Sequence, residues 1–404
     1  MINSIKNGTT AAIIAEYNPF HNGHKLHIER TKELCGAENI VVIMSGNFVQ
    51  RGDCAITDKF SRTRMAIEGG ADLVLELPLP FAMSGAEKFA DGGVRIAEAL
   101  GCVDYISFGM ECGSVEELKA AADAADNKSL KPELDRFLGD GMSFAAARTE
   151  AVRTVYGDDV AEIICMPNNI LAVEYIRALG RLNSGIIPVG IPREGAAHDS
   201  EDISGDIASA TAVRQMITGG QLVEAGRYIP DYSFRELKED IKGGKAPAEI
   251  NRCERAILSR LRSMTREQLA RLPDISEGLE NRIYDCIRKT CSLGELYDSV
   301  KSKRYSHARI RRIILSAFLG IRREHADAPE YIRILGMNDR GKKLLSQAKS
   351  KLPVISSYKH ALSLNQAGLN HYLLECHADD MWGIMTPEIQ PCGADMVSKL
   401  IIYK

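Results

Sequence analysis

A short apolar run, a turn and two histidines spaced three apart constrain the fold of this chain more than any other feature. Ala11-Ala12-Ile13-Ile14-Ala15 has the length and β-branched content of a buried strand. Glu16-Tyr17-Asn18-Pro19-Phe20 interrupts it at a turn dipeptide, and helical spacing resumes at His24-Lys25-Leu26-His27-Ile28. Within His21-Asn22-Gly23-His24 the two imidazoles therefore share one face of a first helical turn. That turn carries free backbone N–H groups and the positive end of the helix dipole, which together make an anion site. Gly23 removes a side chain where phosphates must approach the backbone. Out of context the four residues read as a helix cap with surface histidines. After the first strand of the chain they read as a seat for a nucleoside triphosphate.

The next signals extend this start into an α/β pattern. Further strands are expected at Asn39 to Met44, Asp72 to Leu77, Asp104 to Phe108 and Gly185 to Gly190, with helices at Lys59 to Gly69 and Ala86 to Leu100. Strands separated by helices imply right-handed crossovers and a parallel sheet with its site at the strands' carboxyl ends. After Gln221 the strand signals fade. Helix-compatible spacing covers Glu254 to Leu261, Arg266 to Leu272, Glu277 to Thr290 and His307 to Leu319. The expected fold class is α/β: a Rossmann-like parallel-sheet domain over residues 1–220, then a mostly α-helical region over 221–404, with Gly243 to Pro247 as the linker.

Composition excludes more than it selects. A net charge of −3 over 404 residues gives no global basic field, so any nucleic-acid surface must be local. The ten cysteines form no Cys-x-x-Cys pair, which reads as reduced thiols in a cytoplasm rather than a metal or disulfide framework. No signal peptide, membrane span, metal cluster or protein partner is expected.

Several loops at the expected site edge carry candidate chemistry. Arg51, in Met44-Ser45-Gly46-Asn47-Phe48-Val49-Gln50-Arg51-Gly52-Asp53, is a phosphate or carboxylate partner or a solvated cation. Lys59, opening the next helix, offers the same choice. Gly109 allows a nucleoside against the backbone, or simply ends a strand. Asn168 and Asn169 precede a helix as caps or as readers of a base edge. Arg193 brings a further cation. Ser209 and Thr211 stand where a helix begins, with Arg214 three residues beyond Thr211; they hold phosphate oxygens, or they cap a helix with an exposed arginine. In the second half, Lys301, Lys303, Arg304, Tyr305, Arg309, Arg311 and Arg312 form the one dense basic stretch, suited to an RNA backbone with a base on Tyr305, or else a solvated face. Arg333 and the turn Gly336 to Lys343 would extend it.

The His-x-Gly-His element resembles the signature of nucleotidyltransferases and class I aminoacyl-tRNA synthetases, and Thr211 with Arg214 resembles their Ser/Thr-x-x-Arg element. The longer ordered set IIAEYNPFHNGH, MSGNFVQRG, DKFSR, DLVLELP, FGME, PNNILA, IPREG, SATAVR, KSKRYSHARIRR and RILGMNDRGKKLL resembles the bacterial tRNA(Met) cytidine acetate ligases through both halves. The first strand opens Ala11-Ala12 where that family commonly has glycine, and Lys25-Leu26 also departs from its usual residues. The resemblance implies a nucleotidyltransferase-like enzyme that converts acetate and ATP to acetyl-adenylate. The acetyl group then passes to N4 of the wobble cytidine of elongator tRNA(Met), giving N4-acetylcytidine. It implies ATP contacts along Ile13-Ile14-Ala15-Glu16-Tyr17-Asn18-Pro19-Phe20-His21-Asn22-Gly23-His24-Lys25 and at Gly109, Asn169 (or Asn168), Arg193 and Glu194. His21, His24, Lys59 and Arg214 are the expected charge-stabilising groups, Ser209 and Thr211 further ATP contacts, and Mg²⁺ a possible companion of the triphosphate for which no carboxylate cluster marks a dedicated site. A small-molecule adenylyltransferase, or an RNA-binding protein with a vestigial nucleotide pocket, are the rival readings.

Overall fold

The computed structural model describes residues 8–111, 113–192, 203–204 and 207–404. Ala11 and Ile13 turn to one face of strand β1 (Thr10–Ala15) while Ala12 turns to the other, and all three are fully buried. A strand apolar on both faces belongs inside a helix-covered parallel sheet. Around it stand β2 (Asn39–Ser45), β3 (Leu73–Leu77), β4 (Tyr105–Met110) and β5 (Ile187–Pro192), all parallel, in the order β3-β2-β1-β4-β5. The chain moves outward from β1 to β3 and then restarts on the other side at β4. The crevice at the carboxyl ends of β1 and β4 is therefore the topological switch point, where open α/β sheets bind ligands.

Helices α1 (Asn22–Cys35) and α2 (Lys59–Glu68) cover one face, where Ile28 and Met65 pack with Ile13, Val42 and Val74. Helices α3 (Ala86–Leu100) and α4 (Pro167–Arg181) cover the other through Phe89, Val94 and Val173. Burying each large aliphatic side chain contributes about 1.5–3 kcal/mol. The helix α5 (Ala210–Thr218) returns to the site edge. Beyond it, α6 (His307–Leu319) and α7 (Gln366–Gly383) belong to a helical layer whose core includes Ile257, Leu261 and Ile313 together with Phe48, Leu79 and Met83 from the first half.

Two expectations fail in this second half. Residues 332–337 form a strand, β6 (Ile332–Met337), buried at every position and antiparallel to β3 with a bulge between Ile334 and Gly336. β7 (Val354–Ile355) and β8 (Ile401–Ile402) both run parallel to β6 and complete the eight-stranded sheet. Arg333 thus points into the protein and does not extend a surface patch. The expected linker is packed: the Ala248 N–H donates to Ile56 O at 2.9 Å, and Glu388 N–H donates to Gly244 O at 2.9 Å.

One buried arginine fixes the two loops that leave β1 and β2. Arg62 on α2 is 0% exposed and donates to four backbone carbonyls: Glu16 O (2.7 Å), Ser45 O (3.0 Å), Gly46 O (2.5 Å) and Thr57 O (3.2 Å). Burial lowers its pKa to about 10, so it stays charged at neutral pH. Carbonyl dipoles satisfy its donors without neutralising it.

Candidate functional site

The switch-point crevice encloses a cavity of about 250 Å³, walled by β1, α1, the loop after β2, β4, α4 and the start of α5. Its signature turn is built by the histidines themselves. His21 is the N-cap of α1, where Ser, Thr, Asp or Asn normally stands. Gly23 N–H donates to His21 Nδ1 at 3.1 Å, and His21 N–H donates to His24 Nδ1 at 3.3 Å, a reciprocal capping box. The rings stack with centroids 3.6 Å apart. With both Nδ1 atoms accepting, each neutral ring carries its proton on Nε2 and meets a phosphate as a donor. Tyr17 and Phe20 pack on His24, with centroids 4.7 and 5.7 Å from it, and hold its rotamer. Tyr17 itself sits at φ 47°, the left-handed state that turns the chain sharply off β1.

Arg214 crosses from α5 to the same wall. It donates to Asn18 O and to Thr211 Oγ1, each at 3.0 Å. These two acceptors position the guanidinium on the cavity wall. Arg30 and Arg51 also line the cavity, and among the described lining residues Glu16 is the one carboxylate. Three arginines and three histidines against one acid suit a polyanion.

Sequence expectation and geometry agree unevenly. Ile13 through Asn18, His21, Gly23, His24, Gly109, Thr211 and Arg214 lie on the wall. Pro19 and Phe20 are buried beside it, Asn22 N–H donates to Tyr228 O at 2.9 Å, and Lys25 faces solvent 3.9 Å from Glu29. Ser209 is the N-cap of α5, its Oγ accepting from Ala212 N–H at 3.1 Å. Of the two asparagines, Asn168 lines the cavity, while Asn169 is 0% exposed and its Oδ1 accepts the Glu111 N–H at 3.0 Å. Arg193 and Glu194 lie outside the described residues.

Lys59 is the clearest correction. It is fully buried, away from the cavity wall, with Nζ at 2.7 Å from Glu76, 2.7 Å from Asp379 and 3.3 Å from Asp395. Burial and neighbouring Arg333 press its pKa down, but the three carboxylates outweigh them and raise it. An ammonium already surrounded by acids has nothing left for a phosphate. Arg333 joins the same cluster through Asp395 (2.6 Å from Nη1) and Glu76 (3.1 Å). The sequence reading also missed His27 and Arg30, which line the cavity. Their three-residue spacing from His24 along α1 was the available signal.

The basic stretch is partly absorbed by structure. Tyr305 is 8% exposed and packs in the helical core, so no base can stack on it. Arg304 pairs with Glu277 at 2.6 Å, Arg309 donates to Asp274 O at 2.7 Å, and Arg312 pairs with Asp274 at 2.8 Å. Lys301 and Lys303 are exposed, and Arg311 is half-buried over the Tyr297 ring. The stretch nevertheless adjoins the cavity. Arg312 NH1 donates to Gln50 O at 3.3 Å, and Gly52 lies so close to α6 that an added Cβ would meet Arg312 N at 2.5 Å.

A family model described as HIGH Nucleotidyl Transferase matches residues 9–395. The chain is 38% identical over 400 residues to the tRNA(Met) cytidine acetate ligase of Thermoanaerobacter sp. (strain X514), covering 96% of this chain and 98% of that one. It is 38% identical over 409 residues to the protein of the same name from Acetivibrio thermocellus, covering 96% and 99%. Among solved structures, apo Thermotoga maritima TmcAL superposes with a TM-score of 0.92 at 31% identity, covering 98% of this chain and 99% of that one. The same protein bound with alpha-thio ATP gives 0.90 at 31% identity, covering 98% and 100%.

Proposed function

The chain belongs to the tRNA(Met) cytidine acetate ligases within the HIGH nucleotidyl transferase family, and from that membership we propose which of its residues perform each part of the reaction. It is an ATP-dependent ligase. Relatives carrying the name match both halves, which leaves no place for a small-molecule adenylyltransferase. ATP occupies the switch-point cavity, in keeping with the alpha-thio ATP held by the similar Thermotoga protein.

Acetate attacks the α-phosphate in line and pyrophosphate departs. The Nε2–H groups of His21 and His24, the positive end of the α1 dipole and the Arg214 guanidinium stabilise the charge that builds on the phosphate oxygens. Gly109 and Asn168 border the nucleoside end, and Thr211 steadies Arg214. Lys59 has no part in this. Mg²⁺, if bound, would supply positive charge to the triphosphate. Among the described residues no three His, Cys, Asp or Glu side chains are grouped to hold a metal ion. The acetyl group then passes to N4 of the wobble cytidine of tRNA(Met). Residues 1–220 carry the ATP chemistry, while Lys301, Lys303 and Arg311 in 221–404 meet the RNA backbone beside the cavity mouth. Among the described residues no helix is long and apolar enough to cross a membrane; the cytoplasm is the proposed location.

The observation that carries the assignment is the paired-imidazole cap opening onto an arginine-rich cavity. Mass spectrometry of tRNA(Met) after incubation with the protein, ATP and acetate tests it. One acetyl group gained on the wobble cytidine, dependent on both small substrates, is the expected result. Unmodified tRNA with no acetate-dependent release of pyrophosphate would refute it.

A further inference from the structure

Acetyl transfer from the adenylate to an amine needs a proton acceptor, and the signature histidines are poorly placed to be one. Each Nδ1 lone pair already accepts a backbone N–H, and in the neutral ring Nε2 carries the proton. His27 is engaged through Nε2 with Ser107 Oγ at 3.0 Å. Glu16 differs. It stands at the carboxyl end of β1, on the cavity wall, with Oε1 accepting the Gln50 N–H at 2.9 Å. Its backbone carbonyl is held by Arg62 at 2.7 Å, so the residue is fixed from both ends. Among the described residues Oε2 accepts no hydrogen bond. A carboxylate repels phosphate oxygens, so its contribution belongs to the part of the reaction that is not phosphate.

The neighbouring wall is apolar. Phe108 and Tyr175 stack at 5.8 Å, and Tyr175, 4% exposed, lines the cavity with Leu171. Burial, and then the charge of Glu16, pushes the Tyr175 phenol up, which places the two side chains within electrostatic reach and keeps the phenol protonated.

We propose that the Glu16 carboxylate accepts the exocyclic amine of the incoming cytidine and is the general base of acetyl transfer. This rests on the ligase reading above. A carboxylate matches the N4 amine of cytosine as an acceptor, the pairing by which acidic side chains read that base. N4 attacks the acetyl carbonyl of acetyl-adenylate and the new C–N bond makes a tetrahedral intermediate. The proton of the now cationic nitrogen passes to Glu16, the C–O bond to the phosphate breaks, and AMP leaves with that electron pair. N4 keeps one hydrogen as an amide, and Glu16 returns its proton to water.

The test compares two half-reactions in the full-length protein. Glu16→Gln keeps an oxygen for the Gln50 N–H but cannot take the proton. The rate of acetyl transfer to tRNA(Met) in a single turnover, divided by the rate of acetate-dependent ATP–pyrophosphate exchange, is expected to fall at least about 100-fold. Glu16→Asp, which restores a carboxylate, is expected to recover part of that ratio. A ratio unchanged in Glu16→Gln, whether both rates persist or fall together, overturns the proposal and assigns Glu16 to the nucleotide or to structure. Wild-type protein that shows no acetate-dependent exchange would instead sink the ligase reading itself.

Discussion

Two clusters of charge, one in the cavity and one in the core, use the same kinds of residue to opposite ends. In the cavity, a backbone carbonyl and a hydroxyl orient Arg214 on the wall. In the core, Lys59 and Arg333 face four carboxylates, Glu76, Glu375, Asp379 and Asp395. Burial, and then the charge of Glu76, pushes Glu375 up to about 8; burial against the pull of Lys59 pushes Asp379 up to about 8. Asp395, which burial alone would raise, is held far below its usual range by Lys59 and Arg333. A cation on an open cavity wall can meet a ligand anion; a cation enclosed by carboxylates in the core has already found its own. What separates a binding site from a structural one here is access to the cavity, and not the number of basic residues.

The largest expected effect tests the core. Arg333→Met leaves Lys59 alone against the carboxylates and should lower unfolding stability by about 3–5 kcal/mol, measured by urea denaturation. Exchange activity of the folded fraction should stay within about twofold of wild type. An undiminished stability would show that the cluster is not held by charge. The cavity should respond in the reverse sense. His24→Ala should slow acetate-dependent pyrophosphate exchange about 10²–10³-fold while costing only about 1 kcal/mol of stability through the lost cap. A wild-type exchange rate would remove the imidazole from the mechanism.

A change of pH sharpens the contrast further, read as a difference in slope. Glu375 and Asp379 bind protons more tightly folded than unfolded, since their ordinary values are 4.5 and 3.8. The stability they contribute is complete below about pH 4 and is lost as pH climbs through about 8. Each can contribute a slope of at most about 1.4 kcal/mol per pH unit. Thermal midpoints should therefore decline from pH 6 to 9, and less steeply in Glu375→Gln. An identical slope in that variant would mean that Glu375 does not titrate there.

The parts of the molecule legible in the sequence are those set by neighbours along the chain. β1, the switch to α1 and the helix Ala86–Leu100 follow from periodicity, turn residues and caps within a dozen positions. His27 and Arg30 lay within the same reach and were passed over. Lys59 was unreadable for a different reason: Asp379 and Asp395 stand more than three hundred residues away, and nothing local marks them as its partners. The same distance hid β6, whose Arg333 and Gly336 look polar until the partners of the arginine are known. Tyr305 misled because an aromatic inside a basic run fits an RNA surface and a helix interior equally well.

At the start of α1, one pair of rings both closes the helix and presents the donors for the chemistry. Folding information and catalytic information are therefore written in the same atoms. The basicity of those rings cannot be retuned without redesigning how the helix begins, which makes this turn the least negotiable stretch of the molecule for anyone seeking to move the enzyme toward a different acid.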